Sequence, residues 1–346
     1  SHETSDISCR ILGVPQSLSY IVSGSPYEVV FRATRGLPFV PWETTELLVE
    51  SAIARTQRDH KVILCGYFWM GNHVHFLLIV QDSDQAVRFV VEVKKKVTES
   101  LKRLCGMKRL SLWETGGSVR AVLLDKEAVI KKVAYQYTNA SAADLVERVE
   151  EYPGANTFGV FSRATELDYQ ETRQVPWVRE RMIPSLGKRA RLSPGQDRVL
   201  VETLKGRADK EKYPLTISPN AWMKCFGIST DEEARGINAD ILSRIREREQ
   251  EFREVRRREG RPVKGVRALI QQAISWEHEP KGQGERKVFV ISTDKHLRLA
   301  FIRRHREITR ECRELYRRAC AGESGLRWPP GTFHPRIPPL ANAVAV

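Results

Sequence analysis

Residues 61–80 read Lys-Val-Ile-Leu-Cys-Gly-Tyr-Phe-Trp-Met-Gly-Asn-His-Val-His-Phe-Leu-Leu-Ile-Val. Two apolar runs, residues 62–69 and 73–80, flank Met70-Gly71-Asn72. Gly-Asn between such runs is a turn signal, so the stretch predicts a β-hairpin. Side chains two apart on a strand share a face, so His73 and His75 project together while Val74 points away. Two imidazoles on one face can clamp a divalent metal ion. A His-x-His pair on a strand can also be a half-buried polar pair or a solvated edge. Two features favour the ligand reading. Of the 8 histidines in the chain only these two alternate in this way. They also begin an otherwise apolar strand beside a turn, where a substrate can reach them.

Working outward from the hairpin, residues 27–34 alternate in part and predict a first strand. Residues 42–59 then predict a helix, with Thr44 or Thr45 as its N-cap and Leu48, Val49, Ala52 and Ile53 along one face. After the hairpin, Asp82 or Asp84 caps a helix over 85–104. Its Ala86, Val90, Val93, Val97, Leu101 and Leu104 make one apolar stripe. Lys94 and Lys96 flank that stripe and Lys95 faces away from it. Residues 111–113 and 118–124 read as extended, with Gly116-Gly117 between them, and Asp125 caps a third helix over 126–139. Strand, helix, strand, strand, helix, strand, helix is the order of a ferredoxin-like split βαβ unit with one added helix. The expected fold class is therefore α+β, an antiparallel sheet with its helices on one face.

The chain of 346 residues is long enough for two domains, or for one domain with a long extension. Its 41% hydrophobic content supports a core, and no apolar run approaches the roughly 20 residues of a membrane span. The first residues, Ser-His-Glu-Thr-Ser-Asp, have neither a basic nor an apolar targeting region, so no secretory signal is expected. Six scattered cysteines with no Cys-x-x-Cys argue against a zinc ribbon or a disulfide framework and for a reducing cytoplasm. A formal net charge of +14 points to a polyanionic partner, most often nucleic acid. Residues 1–150 carry 19 basic against 17 acidic side chains, and residues 151–346 carry 38 against 26. Two domains are expected, residues 1–160 and a mainly helical, basic extension over 161–346. In the extension, prolines punctuate short helical pieces. A charged helix spans 231–258 and docks by a narrow stripe of Ile237, Ile241, Leu242 and Ile245. A helix over 263–275, a short strand over 288–292 and a basic helix over 296–320 follow, and the tail from Trp328 is extended.

The third helix carries Tyr135 and Asn139, four apart and on one face, while Tyr137 points elsewhere. Packed across the sheet, that face brings a phenol and an amide to the histidine pair. A phenol is a weak nucleophile near neutral pH. Beside a cation that polarises a phosphoryl oxygen it can attack phosphorus and store the bond energy as a phosphotyrosine link. A tyrosine packing its ring on the sheet, with the helix simply ending at Asn139, accounts for the same residues.

Met70-Gly-Asn-His-Val-His-Phe-Leu-Leu resembles the His-hydrophobe-His motif of the single-tyrosine transposases of the HUH superfamily. It is most similar to the branch associated with repetitive extragenic palindromes (REP). Tyr135-Gln-Tyr-Thr-Asn139 and the segment from Leu145 to Gly154 resemble that branch's tyrosine helix and its downstream Leu-Val and Tyr-Pro segment. The resemblance covers residues 15–160 and, more weakly, the tail around Pro330-Gly-Thr-Phe. It implies an HUH nuclease domain that nicks and rejoins single-stranded DNA beside hairpins, forming a 5′-phosphotyrosine and a free 3′-hydroxyl. By position, it implies His73, His75 and Asn139 as ligands of Mg²⁺ or Mn²⁺ and Tyr135 as nucleophile. Ala140-Ser-Ala-Ala departs from the family's Pro-Val-Arg-Ala, and residues 113–118 are less basic than usual.

DNA grip is accordingly expected from Lys94, Lys95, Lys96, Arg120, Lys131 and Lys132, and from Arg256, Arg257, Arg258, Arg303 and Arg304 in the basic half. Trp69, Trp113, Trp222 and Trp328 are candidates to stack on bases, with core packing as the alternative. The expected partner is single-stranded or hairpin DNA, with no membrane. The expected state is a monomer or homodimer in a bacterial cytoplasm, beside the nucleoid. The alternative is a catalytically silent hairpin-binding module or repressor. A hydrolase using water is disfavoured, because no acidic ligand or glutamate base is visible near the pair in sequence.

Overall fold

The computed structural model describes residues 20–114, 118–279 and 288–332. Its first half runs β1 (Ser25–Arg32), α1 (Glu43–His60), β2 (Ile63–Trp69), β3 (His73–Val80), α2 (Ser83–Leu104), β4 (Val119–Leu123) and α3 (Lys126–Ala142). The sheet order is β2-β3-β1-β4, then a fifth strand, β7 (Val290–Ile291), from far down the chain. β1 runs antiparallel to both β3 and β4, and β2 antiparallel to β3. Only β4–β7 is parallel. That is the strand order of a split βαβ unit with one strand added at its edge. The Gly116-Gly117 turn, and residues 1–19 and 333–346 of the two termini, lie outside the described residues.

β3 reads Phe-Leu-Leu-Ile-Val after its histidine pair, and a continuous apolar run means burial on both faces. Phe31, Tyr67, Phe76 and Leu78 point to one face and share a core cluster with α1 and α2. Phe68, Leu77, Ile79 and Leu123 point to the other, under α3 and the long helix α6 (Asp231–Glu259). The expectation of helices on one face is therefore corrected: α1 and α2 follow it, while α3 and α6 cover the opposite face, whose apolar side chains need shielding. A register shift between Leu64 and Gly66 marks a bulge in β2. At Gly66 a Cβ would lie 3.0 Å from Thr157 Oγ1 and 3.2 Å from Tyr137 Oη, so a larger residue would crowd those hydroxyls.

The caps combine local and distant groups. Asp82 and Asp125 cap α2 and α3 by accepting from Gln85 N and Ala128 N, each at 2.7 Å. α1 differs from expectation. Its N-cap position is Trp42, whose side chain makes no capping bond, and neither threonine caps it. The Asp197 carboxylate accepts from Glu43 N at 2.7 Å, Thr44 N at 3.0 Å and Thr44 Oγ1 at 2.5 Å.

Beyond α4 (Phe158–Ser162) the prolines mark more than helical pieces. β5 (Glu171–Pro176) and β6 (Lys212–Ile217) form a two-stranded antiparallel sheet on either side of α5 (Pro194–Arg207). Pro214 fits there because each strand of a two-stranded ladder has one unpartnered edge, where a missing N–H costs nothing. The expected helix over 263–275 shrinks to α7 (Val266–Ile270). Gly265, at φ +78°, starts it, and the chain then extends so that Ser275 bridges Leu37. α8 (Lys295–Cys320) closes the described chain. Side chains from both sides of residue 160 contribute to both core clusters.

Candidate active site

β1 and β3 pair with Arg32 opposite His73 and Val30 opposite His75, so the histidine face of β3 continues onto β1 through Arg32, Val30 and Glu28. The two imidazoles stand 5.2 Å apart between ring centroids, at an interplanar angle of 77°. His75 is buried, and its Nδ1 meets Glu28 Oε1 at 3.2 Å. His73 Nδ1 meets Asn72 Oδ1 at 2.7 Å. A carboxylate or amide oxygen accepts, so Nδ1 donates in both rings. His75 Nε2 is buried with no hydrogen-bond partner.

α3 crosses this face. Lys132 and Tyr135 are three apart on it and Asn139 comes one turn later. The Tyr135 ring lies 5.7 Å from the His75 ring, at 73° to it, and remains 37% exposed, open to a substrate. Lys132 Nζ bonds Glu28 Oε2 at 2.9 Å and lies 4.9 Å from the Tyr135 ring centroid. From α6, the Arg248 guanidinium stands 5.9 Å from the same ring and its Nε donates to Thr138 Oγ1 at 3.0 Å. α6 holds α3 at both ends as well, through Arg244–Glu127 at 2.5 Å and Arg256 Nη1 to the Ser141 carbonyl at 2.8 Å.

Burial alone would push the Glu28 carboxyl up, but the His75 bond and the Lys132 charge together bring it below its ordinary value. Burial, then His75 and Arg32, push His73 well below the usual imidazole range. Neutral imidazole is the form that binds metal.

The residues fit a divalent cation on one observation in particular, the orphaned Nε2 of His75. A buried ring nitrogen with no partner costs free energy unless something occupies it. Asn139 Nδ2 is likewise buried without a partner. An amide N–H with no acceptor is the unfavourable assignment, and the rotated amide presents Oδ1 instead. Among the described residues no group of three His, Cys, Asp or Glu could hold a metal ion.

The sequence reading saw no acidic ligand or glutamate base near the pair and overlooked Glu28, which sits against His75 from 47 residues away. Both its oxygens are engaged, so it orients the imidazole and leaves no free base. The available signal was a lone glutamate inside the apolar run Tyr-Glu-Val-Val-Phe. Arg248 carried no signal beyond membership of a charged helix.

The expected DNA-contacting cations disperse. Lys132 lies in the site and Lys131 is exposed beside Glu127, at 3.5 Å. Lys94, Lys95 and Lys96 ride on α2, which covers the face of the sheet opposite the histidines. Lys94 lies 5.6 Å and 5.7 Å from the Phe31 and Trp113 rings, Lys96 bonds Glu92 at 2.9 Å, and Lys95 is exposed. Arg120 pairs with Val29 across β1–β4, so it too leaves from the face away from His75. Arg256 is corrected outright. It is buried and bonds Glu147 at 2.6 Å, so its charge is used inside the fold. Arg257, Arg258, Arg303 and Arg304 are exposed on α6 and α8. Trp69 and Trp222 are core residues, and Trp113 donates to Thr98 Oγ1 at 2.9 Å.

No family model matches this chain, and no curated protein matches it. Among solved structures it is similar to a REP-associated tyrosine transposase bound to a REP hairpin, at 19% identity and a TM-score of 0.35. The match covers 42% of this chain and 83% of that one. A likeness of that degree leaves the assignment to the site's own geometry.

Proposed function

We propose that this chain is a metal-dependent endonuclease and strand-transferase acting on single-stranded DNA beside hairpins, with Tyr135 as nucleophile. The observation that carries the reading is the convergence of three side chains from two elements. The His75 ring, whose Nε2 is buried without a partner, lies 5.2 Å from the His73 ring and 5.7 Å from the exposed Tyr135 ring. The sequence resemblance to the REP-associated single-tyrosine transposases supports the same roles. His73, His75 and Asn139 would hold Mg²⁺ or Mn²⁺, which when bound polarises a phosphoryl oxygen and offsets charge at phosphorus.

The chain's own residues supply the rest. Tyr135 Oη forms a bond to phosphorus as the P–O3′ bond breaks. The electron pair leaves with O3′, which takes up a proton to become a free 3′-hydroxyl, and the phenol releases its proton to solvent. Lys132 and Arg248 set two cations against the Tyr135 ring, where they draw in the phosphodiester and oppose its charge. Glu28 fixes the His75 ring so that Nε2 faces the site. Attack by a 3′-hydroxyl on the tyrosyl phosphate reverses the step and rejoins DNA.

The test is incubation of a labelled hairpin oligonucleotide bearing single-stranded flanks with Mn²⁺ or Mg²⁺. A covalent adduct should survive a denaturing gel and vanish in Tyr135→Phe. Cleavage that persists in Tyr135→Phe would overturn the tyrosine mechanism in favour of water. The second reading is a hairpin-binding module or repressor without catalysis. Binding without adduct for any oligonucleotide or metal would establish that reading.

A further inference from the structure

Segment 33–39 joins the site to a cleft elsewhere on the surface. On one side it bonds the turn before His73, through Ala33 N to Asn72 O at 2.7 Å and Phe39 N to Gly71 O at 3.0 Å. On the other it bonds the 275–278 stretch, through Leu37 N to Ser275 O at 2.7 Å and Gly36 N to His278 O at 2.6 Å. Gly36 is required there. Its φ is +82°, and a Cβ would lie 2.2 Å from Ser275 O.

Beside this junction lies a cavity of about 340 Å³ whose lining includes Arg35, Met107, Arg109, Lys188, Arg189 and Trp276. The Trp276 indole is half-buried and its Nε1 donates to Lys188 O at 2.7 Å, which fixes the ring plane. Arg189 pairs with Glu277. Arg35, Arg109 and Lys188 are exposed, and among the described residues none has an acidic partner. Met107 also lines a second cavity, of about 640 Å³, where Lys102, Arg103, Lys108 and Arg181 share the walls with Glu99 and Glu180 and Lys102 pairs with Glu99. A solvated charged face would show neither a concavity nor a fixed aromatic ring among its cations. Unpaired cations track phosphates, and a half-exposed indole gives an unpaired base a stacking surface.

We propose that the Trp276 cleft binds the single-stranded flank of the DNA substrate, with a base stacked on Trp276 and the adjoining phosphates on Arg35, Arg109 and Lys188. The inference rests on the single-stranded DNA reading above and adds a second binding region to it, built from both halves of the chain.

The test compares two labelled hairpins by fluorescence anisotropy, one blunt and one carrying an oligo-thymidine flank, in a Tyr135→Phe background. Trp276→Ala should weaken binding of the flanked probe about tenfold and leave the blunt probe unchanged. Trp276→Phe should restore most of the affinity. The double variant Arg109→Glu, Lys188→Glu touches only exposed side chains, so it remains informative if Trp276→Ala fails to fold. It should weaken the flanked probe selectively and shrink its salt dependence by about 0.7 in logarithmic slope for each phosphate no longer neutralised. Equal weakening for both probes, or none for the flanked one, would overturn the proposal. Adduct formation with Tyr135 intact is read in parallel. Adduct without discrimination of the flank sinks the cleft alone, and discrimination without adduct sinks the tyrosine mechanism alone.

Discussion

Glu28 sets what His75 presents to the site. Its two oxygens engage His75 Nδ1 at 3.2 Å and Lys132 Nζ at 2.9 Å, so one buried carboxylate holds both the imidazole and the cation beside Tyr135. Carboxylates behind a metal-binding imidazole typically contribute 10- to 100-fold in affinity. Glu28→Gln should therefore weaken Mn²⁺ binding by about that factor in titration calorimetry, while hairpin binding measured without metal stays intact. Unchanged Mn²⁺ affinity would leave Glu28 as packing alone. At this scale the sequence was legible for His73, His75 and Tyr135, because strand and helix periodicity fix their faces. Glu28 stood out only as a lone glutamate in an apolar run, and only the β1–β3 register, with Val30 opposite His75, sets that carboxylate beside the ring.

The helices show where local signals stop. Asp82 and Asp125 cap the helices that begin just after them, as their positions in sequence predict. α1 takes its cap from Asp197 on α5, a buried carboxylate that accepts three bonds from Glu43 and Thr44. Removing it leaves buried donors unsatisfied, at about 1–3 kcal/mol. Asp197→Ala should lower the urea midpoint by a stability loss of about 2 kcal/mol with the m-value unchanged. A loss below about 0.5 kcal/mol would mean that water replaces the cap. The same bond set limits sequence reading, since Thr44 and Thr45 look like caps to any local rule. β5 and β6 escaped for a related reason. Their prolines read as breakers, and only pairing in a two-stranded ladder makes them tolerable.

Across the whole molecule, the second half of the chain shields the first. Ile237, Ile241 and Ile245 of α6 pack in the cluster beneath α3, and Val201, Leu204 and Leu215 join the cluster with α1 and α2. We expect a chain cut after residue 160 to lose fixed tertiary packing, seen as a collapsed near-ultraviolet circular dichroism signal. A cooperative, native-like transition from that fragment would show a self-sufficient domain instead. The sequence by itself determined the element order of the first half, the split βαβ arrangement, the paired imidazoles and the face of the tyrosine helix. Each of these comes from periodicity within about twenty residues, which short-range geometry fixes. Tertiary structure alone decided the helices on the second face, the distant cap of α1, the Glu28–His75–Lys132 link, the burial of Arg256 and the Trp276 cleft. Each joins groups at least 47 residues apart on the chain, and such pairs meet only when register and packing close the loop between them.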